Sequence, residues 1–171
     1  LIAVSSCLVL SACWVPGDPY YESYIDISFA NTTKEQAFSL ALDIGLARGY
    51  RRGGHWEAGG RTFYDFCRTN FNDGPGPECR RKFMESANWV EAKTQIINGA
   101  ISFWFSAVDP RGMIMFEPRV WIVSVGESSR VKFTFSSFID PLPEKPKSEF
   151  YALKSFLVDR YGAMVTTRDE P

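Results

Sequence analysis

Several features that mark common functional classes are scarce or absent in this sequence. The single histidine, His55, excludes a metal site built on two histidines. Nineteen basic and 20 acidic residues give a formal net charge of −1, whereas a nucleic-acid-binding domain is normally clearly basic. After the first residues, no apolar run approaches the about 20 residues that a membrane-spanning helix needs. The sequence therefore indicates no nucleic-acid partner, no metal and no cofactor.

The first twelve residues are apolar or small and carry no charge, which is typical of the apolar region of a secretory signal. They end in Leu10-Ser11-Ala12-Cys13, which resembles the lipobox of bacterial lipoproteins. The resemblance implies cleavage before Cys13, a diacylglyceryl group on its thiol, and a membrane anchor at this residue. No basic segment precedes Leu1, so we expect a few signal residues upstream. A buried apolar strand that ends in Ser-Ala-Cys is the alternative.

These signals divide the chain into a partial lipoprotein signal peptide (residues 1–12), a lipidated tether (residues 13–20) and a single α+β domain (residues 21–171). The resemblance implies a bacterial envelope protein that is anchored to a membrane by lipid. In Gram-negative lipoproteins, an aspartate directly after the lipidated cysteine often signals retention in the inner membrane. Trp14 stands at this position. For a Gram-negative source, the resemblance therefore favours the outer membrane, facing the periplasm.

Four cysteines have three expected fates. Cys7 leaves with the signal and Cys13 carries lipid, which leaves Cys67 and Cys79. An exported chain meets oxidising conditions, so we predict a disulfide between these two. A redox pair or a thiol nucleophile is the alternative, but the spacing is far from Cys-x-x-Cys.

The N-terminal half predicts a strand, a helix and a second strand. Apolar and polar residues alternate over residues 23–29, and Thr32 with Glu35 fits a capping box for a helix that runs to about Arg48. Gly49 is a suitable C-terminal stop. Residues 51–60 are rich in glycine and predict a loop, and residues 62–68 predict the second strand, which leads into the disulfide.

Asn98-Gly99 is the strongest structural signal, because a type I′ hairpin turn needs positive φ at both central residues. Counting outward from this turn gives a long hairpin with one apolar face. The predicted pairs are Ile96 with Ile101, Thr94 with Phe103, Ala92 with Phe105 and Val90 with Ala107 on that face, and Gln95 with Ser102, Lys93 with Trp104, Glu91 with Ser106 and Trp89 with Val108 on the other.

In the next strands, two turn signals predict opposite sets of inward-facing residues. A turn at residues 109–112 directs Ile114 and Phe116 inward and would continue with Val120 and Ile122. Counting back from residues 126–130 instead pairs Val125 with Val131, Val123 with Phe133 and Trp121 with Phe135. Both patterns hold if the inward-facing and outward-facing positions exchange at Pro118. Proline lacks the backbone N–H that pairs with a neighbouring strand, so it is a suitable site for such an exchange. We therefore predict a bulge or a strand break at Pro118.

A proline-rich linker over residues 140–146 precedes a final helix that Ser148 can cap. Its apolar stripe is Phe150, Leu153, Leu157 and Tyr161, Gly162 ends it, and we expect the last residues to fray. The predicted fold class is α+β. It consists of an antiparallel sheet of about six strands, with one helix in the N-terminal half and one at the C-terminus, packed mainly on one face.

No phosphate-binding loop, no G-x-G-x-x-G and no G-x-S-x-G motif occurs in the sequence. Four acidic residues near the disulfide could supply acid–base chemistry, but loops of this polarity usually carry solvated acids. His55 lacks a partner that the sequence can name, which favours an exposed loop histidine. The acids are Glu57, Asp65, Asp73 and Glu78.

Two surfaces are candidates for binding. The second face of the hairpin would carry Trp89, Lys93 and Trp104, with Ile122 on the neighbouring strand, and exposed aromatic patches tend to be contact sites. The alternative is that the N-terminal segment or residues 51–60 cover the two indoles. A second candidate is a basic rim for an anionic partner, but the near-zero net charge favours the alternative of a solvated surface balanced by nearby acids. Its members are Arg48, Arg51, Arg52, Arg61, Arg68, Arg80, Arg81 and Lys82.

These observations favour a membrane-anchored, non-catalytic binding or structural module of the cell envelope. Its expected partners are the membrane, through Cys13, and an envelope protein or an anionic glycan or lipid. One alternative is a small-molecule or lipid carrier, which requires a cavity lined by Phe103, Phe105, Phe133 and Phe135. Another is a cell-envelope hydrolase, which requires two acids, or His55 and an acid, within hydrogen-bonding reach of a shared cleft.

Overall fold

A computed structural model describes residues 21–71, 75–109, 114–137 and 142–171. The lipobox and the tether lie outside these residues, as do most of the turn at residues 109–112 and the start of the proline-rich linker. The elements in chain order are β1 (Tyr21–Phe29), α1 (Lys34–Ala47), β2 (Arg51–Arg52), β3 (Gly54–Ala58), β4 (Arg61–Thr62), α2 (Phe63–Asn70), α3 (Pro77–Ser86), β5 (Asn88–Glu91), β6 (Gln95–Ile97), β7 (Ala100–Val108), β8 (Ile114–Phe116), β9 (Arg119–Val125), β10 (Ser128–Ser137), α4 (Glu144–Tyr161) and β11 (Val165–Arg168).

The strands form a large and a small antiparallel sheet. The large sheet has eight strands in the order β11-β1-β10-β9-β7-β2, and β6 and β8 also pair with β7. The small sheet has the order β4-β3-β5. The predicted α+β class with a large antiparallel sheet is therefore confirmed. Within the described residues, no helix is both long and apolar enough to cross a membrane.

The core lies between one face of the large sheet and the helices α1 and α4. Alternate residues of β1, β7, β9 and β10 point into it, including Ile25, Phe103 and Phe133. Packing against α1 is close, because a Cβ atom added to Gly45 would lie 2.1 Å from the Phe105 ring. The fully buried side chains of α1 and α4 are Ala37, Ala41, Ile44, Phe150, Leu153 and Leu157.

Both long helices differ from the predictions at their N-termini. Helix α1 has its capping box one residue later than predicted, with Thr33 as the N-cap and Gln36 as its partner. Helix α4 begins at Glu144 rather than after Ser148, because a proline is tolerated in a first turn, where the missing N–H has no intrahelical partner. The predicted stops at Gly49 and Gly162 both have positive φ.

The hairpin at Asn98-Gly99 is confirmed, with Gln95 opposite Ser102 and Ile96 opposite Ile101. Its predicted extension is wrong, because β6 has only three residues. Arg52 and Arg51 of β2 occupy the positions opposite Phe105 and Ser106 that were predicted for Ala92 and Glu91. Strand β5 pairs with β3 in the small sheet instead.

The predicted strand break at Pro118 is confirmed, since β8 ends before this residue and β9 begins after it. The predicted exchange of inward-facing and outward-facing positions is wrong. Val125 pairs with Ser128 across a two-residue turn at Gly126-Glu127, so Val120 and Ile122 stay on the core face. Tight turns of this kind fix the register, and a shift by one residue exchanges the two faces of a strand.

The segment between α1 and β5 was predicted least well. Residues 51–60 contain β2 and β3 rather than a loop, and residues 62–68 lie mostly in helix α2 rather than a strand. Helices α2 and α3 are joined by the predicted disulfide between Cys67 and Cys79, whose Cα atoms lie 5.7 Å apart. The last residues do not fray, because β11 pairs with β1 at the edge of the large sheet.

Candidate binding surface

The large sheet has a second face, opposite α1 and α4, which we call the outer face. Its residues alternate along each strand with the buried core residues and lie in register across five strands. One cross-strand row consists of Trp104, Arg119, Thr134, Tyr24 and Arg168, and the next consists of Ser102, Trp121, Lys132, Asp26 and Thr166.

Arg119 lies at the centre of an aromatic and polar cluster on the outer face. Its guanidinium carbon is 3.9 Å from the ring centroid of Trp121 and 5.0 Å from that of Trp104. Its Nε donates a hydrogen bond of 2.9 Å to Ser102 Oγ. Burial lowers the pKa of Arg119, and the charge of Glu22 partly opposes this shift. The side chain is therefore held in one orientation by two rings and one hydroxyl.

Two further cations of the outer face lie near Tyr24. Lys132 Nζ is 4.4 Å from the ring centroid of Tyr24, and the Arg168 guanidinium carbon is 5.9 Å from it. The interaction with Tyr24, and then the charge of Asp169, raise the pKa of Arg168. Contacts of this type are attractive because the face of an aromatic ring carries partial negative charge. Aromatic rings and cations thus alternate from Trp104 on β7 to Arg168 on β11.

Two polar atoms of the outer face are buried without a hydrogen-bond partner in the described part of the chain, Thr134 Oγ1 and Asp26 Oδ1. Burial raises the pKa of Asp26, although the charges of Arg130 and Lys132 act in the opposite direction. Lys132 is directed to the Tyr24 ring, so it does not neutralise this carboxylate by an ion pair. Buried polar groups without partners are costly and rare in folded proteins.

The structure separates the aromatic residues that were predicted to share a surface. Trp104 lies on the outer face, half-buried. Trp89 lies in the small sheet against Trp56, with ring centroids 5.5 Å apart. Ile122 is 0% exposed in the core, so its predicted place beside Trp104 is wrong, and Lys93 is exposed between β5 and β6. Trp89 is displaced because the short β6 directs β5 to β3, and Ile122 is buried because the two-residue turn at Gly126-Glu127 keeps it on the core face.

The segment 51–60 connects the two sheets at Trp104. Gly53 N–H donates to the Trp104 carbonyl, and a Cβ atom at Gly53 would lie 2.6 Å from that oxygen. Only glycine allows this close approach of the two backbones. The alternative prediction was that residues 51–60 cover the two indoles. Trp56 of this segment does pack against Trp89, whereas Trp104 lies on the outer face.

The predicted basic rim is divided among different partners. Arg48 binds Glu149 of α4, and Arg81 and Lys82 form ion pairs with Glu78 within α3. The Arg52 guanidinium lies 5.4 Å from the rings of both Phe38 and Phe103 and donates to Thr94. Arg51 is exposed at the edge of β7. We find no set of cations from this rim that points at one common site in the described residues.

His55 has an acidic partner, because its Nε2 lies 2.5 Å from Glu57 Oε1. Both residues lie on β3, where the imidazole is half exposed and the ring remains in contact with water. General acid–base chemistry usually needs a cleft that orients substrate, so this geometry favours a solvated pair. Asp65 accepts from Thr62, Glu78 binds cations of α3, and Asp73 lies outside the described residues.

The four phenylalanines of the proposed carrier cavity are buried in packed rings. Phe103 and Phe105 have centroids 5.1 Å apart, and Phe135 lies 5.4 Å from Phe150 of α4. This packing fills the space between the sheet and the helices, so it does not favour a ligand cavity. Among the described residues, no group of three or more His, Cys, Asp or Glu side chains could hold a metal ion.

Sequence reasoning missed Tyr24, Arg119, Trp121 and Lys132 as parts of one surface. A usable signal was present, because the residues from Arg119 to Ile122 alternate between large polar or aromatic and buried aliphatic side chains. With a two-residue turn at Gly126-Glu127, this alternation places Trp121 beside Lys132.

No protein-family model matches this chain, and a search of curated proteins also finds no match. Among solved structures, the chain is similar to one from the 1.75 Å crystal structure of the toxic C-terminal tip of CdiA from Pseudomonas aeruginosa in complex with immune protein. The identity is 15%, 88% of each chain is covered, and the TM-score is 0.37. At this TM-score, the likeness carries no argument about function.

Proposed function

We propose that this chain is a non-catalytic protein-binding module of the bacterial envelope, and that the outer face of its large sheet is the binding surface. The observation that carries the proposal is the row of half-buried aromatic and cationic side chains around Arg119, on the face away from α1 and α4. Trp, Tyr and Arg are the residue types most enriched among the residues that dominate protein–protein binding energies.

The geometry of the outer face supports this role in a second way. Trp104, Trp121 and Tyr24 each contact a cationic side chain, which already restricts their conformations. Binding would therefore cost little further side-chain entropy at these residues. Each immobilised, rotamer-rich side chain otherwise costs about 0.5–1.5 kcal/mol on association. A pre-ordered surface of this kind gains affinity from the same contacts that stabilise the free domain.

The lipid anchor is the other half of the proposal. The resemblance of Leu10-Ser11-Ala12-Cys13 to a lipobox supports a diacylglyceryl group on Cys13, with residues 13–20 as the tether. The disulfide between Cys67 and Cys79 supports an oxidising compartment, since such bonds are rare in reducing ones. Trp14 after the cysteine supports the outer membrane in a Gram-negative source.

Intact mass and fractionation in the native host test the anchor. We expect the wild-type protein in the membrane fraction with a mass that corresponds to a lipidated chain starting at Cys13. Cys13→Ser should retain the leader and lose the lipid mass, whereas Cys7→Ser is the matched control and should give the wild-type mature mass. A wild-type protein that keeps its leader and a free Cys13 thiol would contradict the anchor.

Site-specific crosslinking in the native envelope tests the binding surface. A photoreactive residue at Thr166, on the outer face, should form an adduct with a partner protein, and one at Val158, exposed on α4, should not. We expect Trp104→Ala/Trp121→Ala to abolish the Thr166 adduct, while the circular dichroism spectrum confirms folding. Equal adducts from Thr166 and Val158, or none from either, would contradict the proposed surface.

A further inference from the structure

The strands β2 and β6 lie on the same edge of β7, and β9 lies on the other edge. β2 pairs with Phe105 and Ser106 of β7, and β6 pairs with residues 100–102. Both strands run antiparallel to β7, so they have the same direction and lie end to end. Together they form one edge strand of the large sheet, which the chain interrupts between Arg52 and Gln95.

The two ends of this interruption occupy neighbouring positions of the edge strand. Gly53 N–H donates to the Trp104 carbonyl, and the register of β6 places Thr94 at the next position along β7. The Arg52 side chain donates to Thr94 Oγ1, as expected for residues two positions apart on one face of a strand. Residues 54–93, which we call the insertion, therefore leave the sheet and rejoin it one strand position apart.

A two-stranded ribbon forms the stem of the insertion. Its strands are β3 and β5, which pair from Gly54 opposite Glu91 onward. A Cβ atom added to Gly54 would lie 2.1 Å from the Val90 carbonyl oxygen, so the two strands are in close contact from the first residue. Ala92 N–H donates to the Gly53 carbonyl over 2.7 Å and closes the base of the stem.

The insertion also has its own small core. Phe83 packs against Phe63 and Phe66, and Trp56 packs against Trp89. In the described part of the chain, the ion pairs and ring contacts of the insertion, and its disulfide, all join residues of the insertion to each other. Chains of about 40 residues usually need a covalent link of this kind to fold. Its buried residues, which are separate from the core of the large sheet, are Ala58, Cys67, Cys79 and Phe83.

We infer that the insertion is a separate cooperative unit, which can unfold while the large sheet and its outer face stay folded. A segment opens locally when few contacts cross its boundary, and this boundary consists of the base of the stem at Gly53. Unfolding of the insertion leaves the pairing of β2 and β6 with β7 in place, because both strands lie outside it. This inference goes beyond the proposed function, since it concerns which part of the molecule the binding surface needs.

Native-state hydrogen exchange of the full chain in increasing urea tests the inference without changing the sequence. We expect the amides of β3, α2 and α3 to exchange through an opening that is at least about tenfold more populated than the opening that exposes β1 and β10. The urea dependence of this opening should also be smaller, because it exposes less surface. One opening that exposes the insertion, β1 and β10 together would overturn the inference.

Excision of the insertion is the second test. Removal of residues 54–93 joins Gly53 to Thr94 and completes the edge strand in its native register, so we expect β1, β9 and β10 to keep their amide protection. Removal of residues 54–94 is the matched control. It shifts β6 by one position and exchanges its two faces, so we expect a lower melting temperature and loss of protection in β6.

An excised chain that lacks amide protection in β1, β9 and β10, or one that is no more stable than the shifted control, would overturn the inference. Both tests measure folding and need no partner protein. They therefore decide the inference separately from the proposed function, which depends on the adduct at Thr166.

Discussion

Glu149 connects the two long helices through one side chain. Its Oε1 accepts hydrogen bonds from Tyr50 Oη and from the guanidinium of Arg48, the latter with an Nε distance of 3.1 Å. Burial, and then the interaction with Glu149, raise the pKa of Tyr50, so the hydroxyl stays protonated and donates. Glu149→Ala removes the acceptor for the buried Tyr50 hydroxyl and for the partly buried Arg48 guanidinium, whereas Tyr50→Phe removes one donor.

We therefore expect Glu149→Ala to lower the free energy of unfolding by about 2 kcal/mol and Tyr50→Phe by about 1 kcal/mol. Urea denaturation measures both, and Ser155→Ala, an exposed change on the same helix, should alter stability by less than about 0.5 kcal/mol. Equal stability of wild type and Glu149→Ala would show that water replaces this acceptor without cost.

Asp26 makes stability depend on pH with a definite sign. Its folded-state pKa is raised above the ordinary value of 3.8, mainly by burial. Between these two values the folded chain holds more protons than the unfolded chain, so stability falls as pH rises through this window. Asp26→Asn should therefore raise the melting temperature at pH 7, and the gain should disappear near pH 4. Asp43→Asn, at an exposed acid of α1, should not show this pattern.

At the scale of elements, the sequence predicts structure where a short local signal decides it. Asn98-Gly99 fixes a hairpin because few residues tolerate positive φ, and Pro118 breaks a strand because it lacks a donor. The prediction of a strand over residues 62–68 was wrong, because this segment forms helix α2. Its sequence is compatible with a short strand, but Phe63, Phe66 and Cys67 also fit the apolar stripe of a helix. Its state is decided by packing against α3, which no local pattern contains.

The disulfide is predicted to stabilise the α2–α3 unit more than the large sheet. It closes a segment with a sequence separation of 12, which in the chain-entropy view contributes about 3 kcal/mol. Cys67→Ser/Cys79→Ser should therefore lose amide protection in α2 and α3 while β1 and β10 keep theirs, as hydrogen exchange can measure. Wild type treated with reductant is the control and should match the double variant; uniform loss of protection would contradict a local effect.

At the scale of the molecule, the candidate surface could be predicted only in part. The sequence singled out Trp104, but Arg119, Trp121 and Tyr24 join it through the strand order β1-β10-β9-β7. That order depends on long-range pairing, and the turn at Gly126-Glu127 alone decides which face Trp121 occupies. An aromatic and cationic surface assembled from four strands therefore becomes visible only once the whole sheet is known.

The same long-range pairing joins the two ends of the described chain, because β11 covers the edge of β1. Deletion of residues 165–171 should expose the backbone donors and acceptors of β1, lower the free energy of unfolding by about 2 kcal/mol and cause association, since uncovered edges pair with other chains. Light scattering and denaturation measure both effects. Glu170→Gln removes the 2.6 Å ion pair with Lys154 but keeps β11, and it should not cause association. A shortened chain that associates no more than wild type and is equally stable would mean that β11 does not protect this edge.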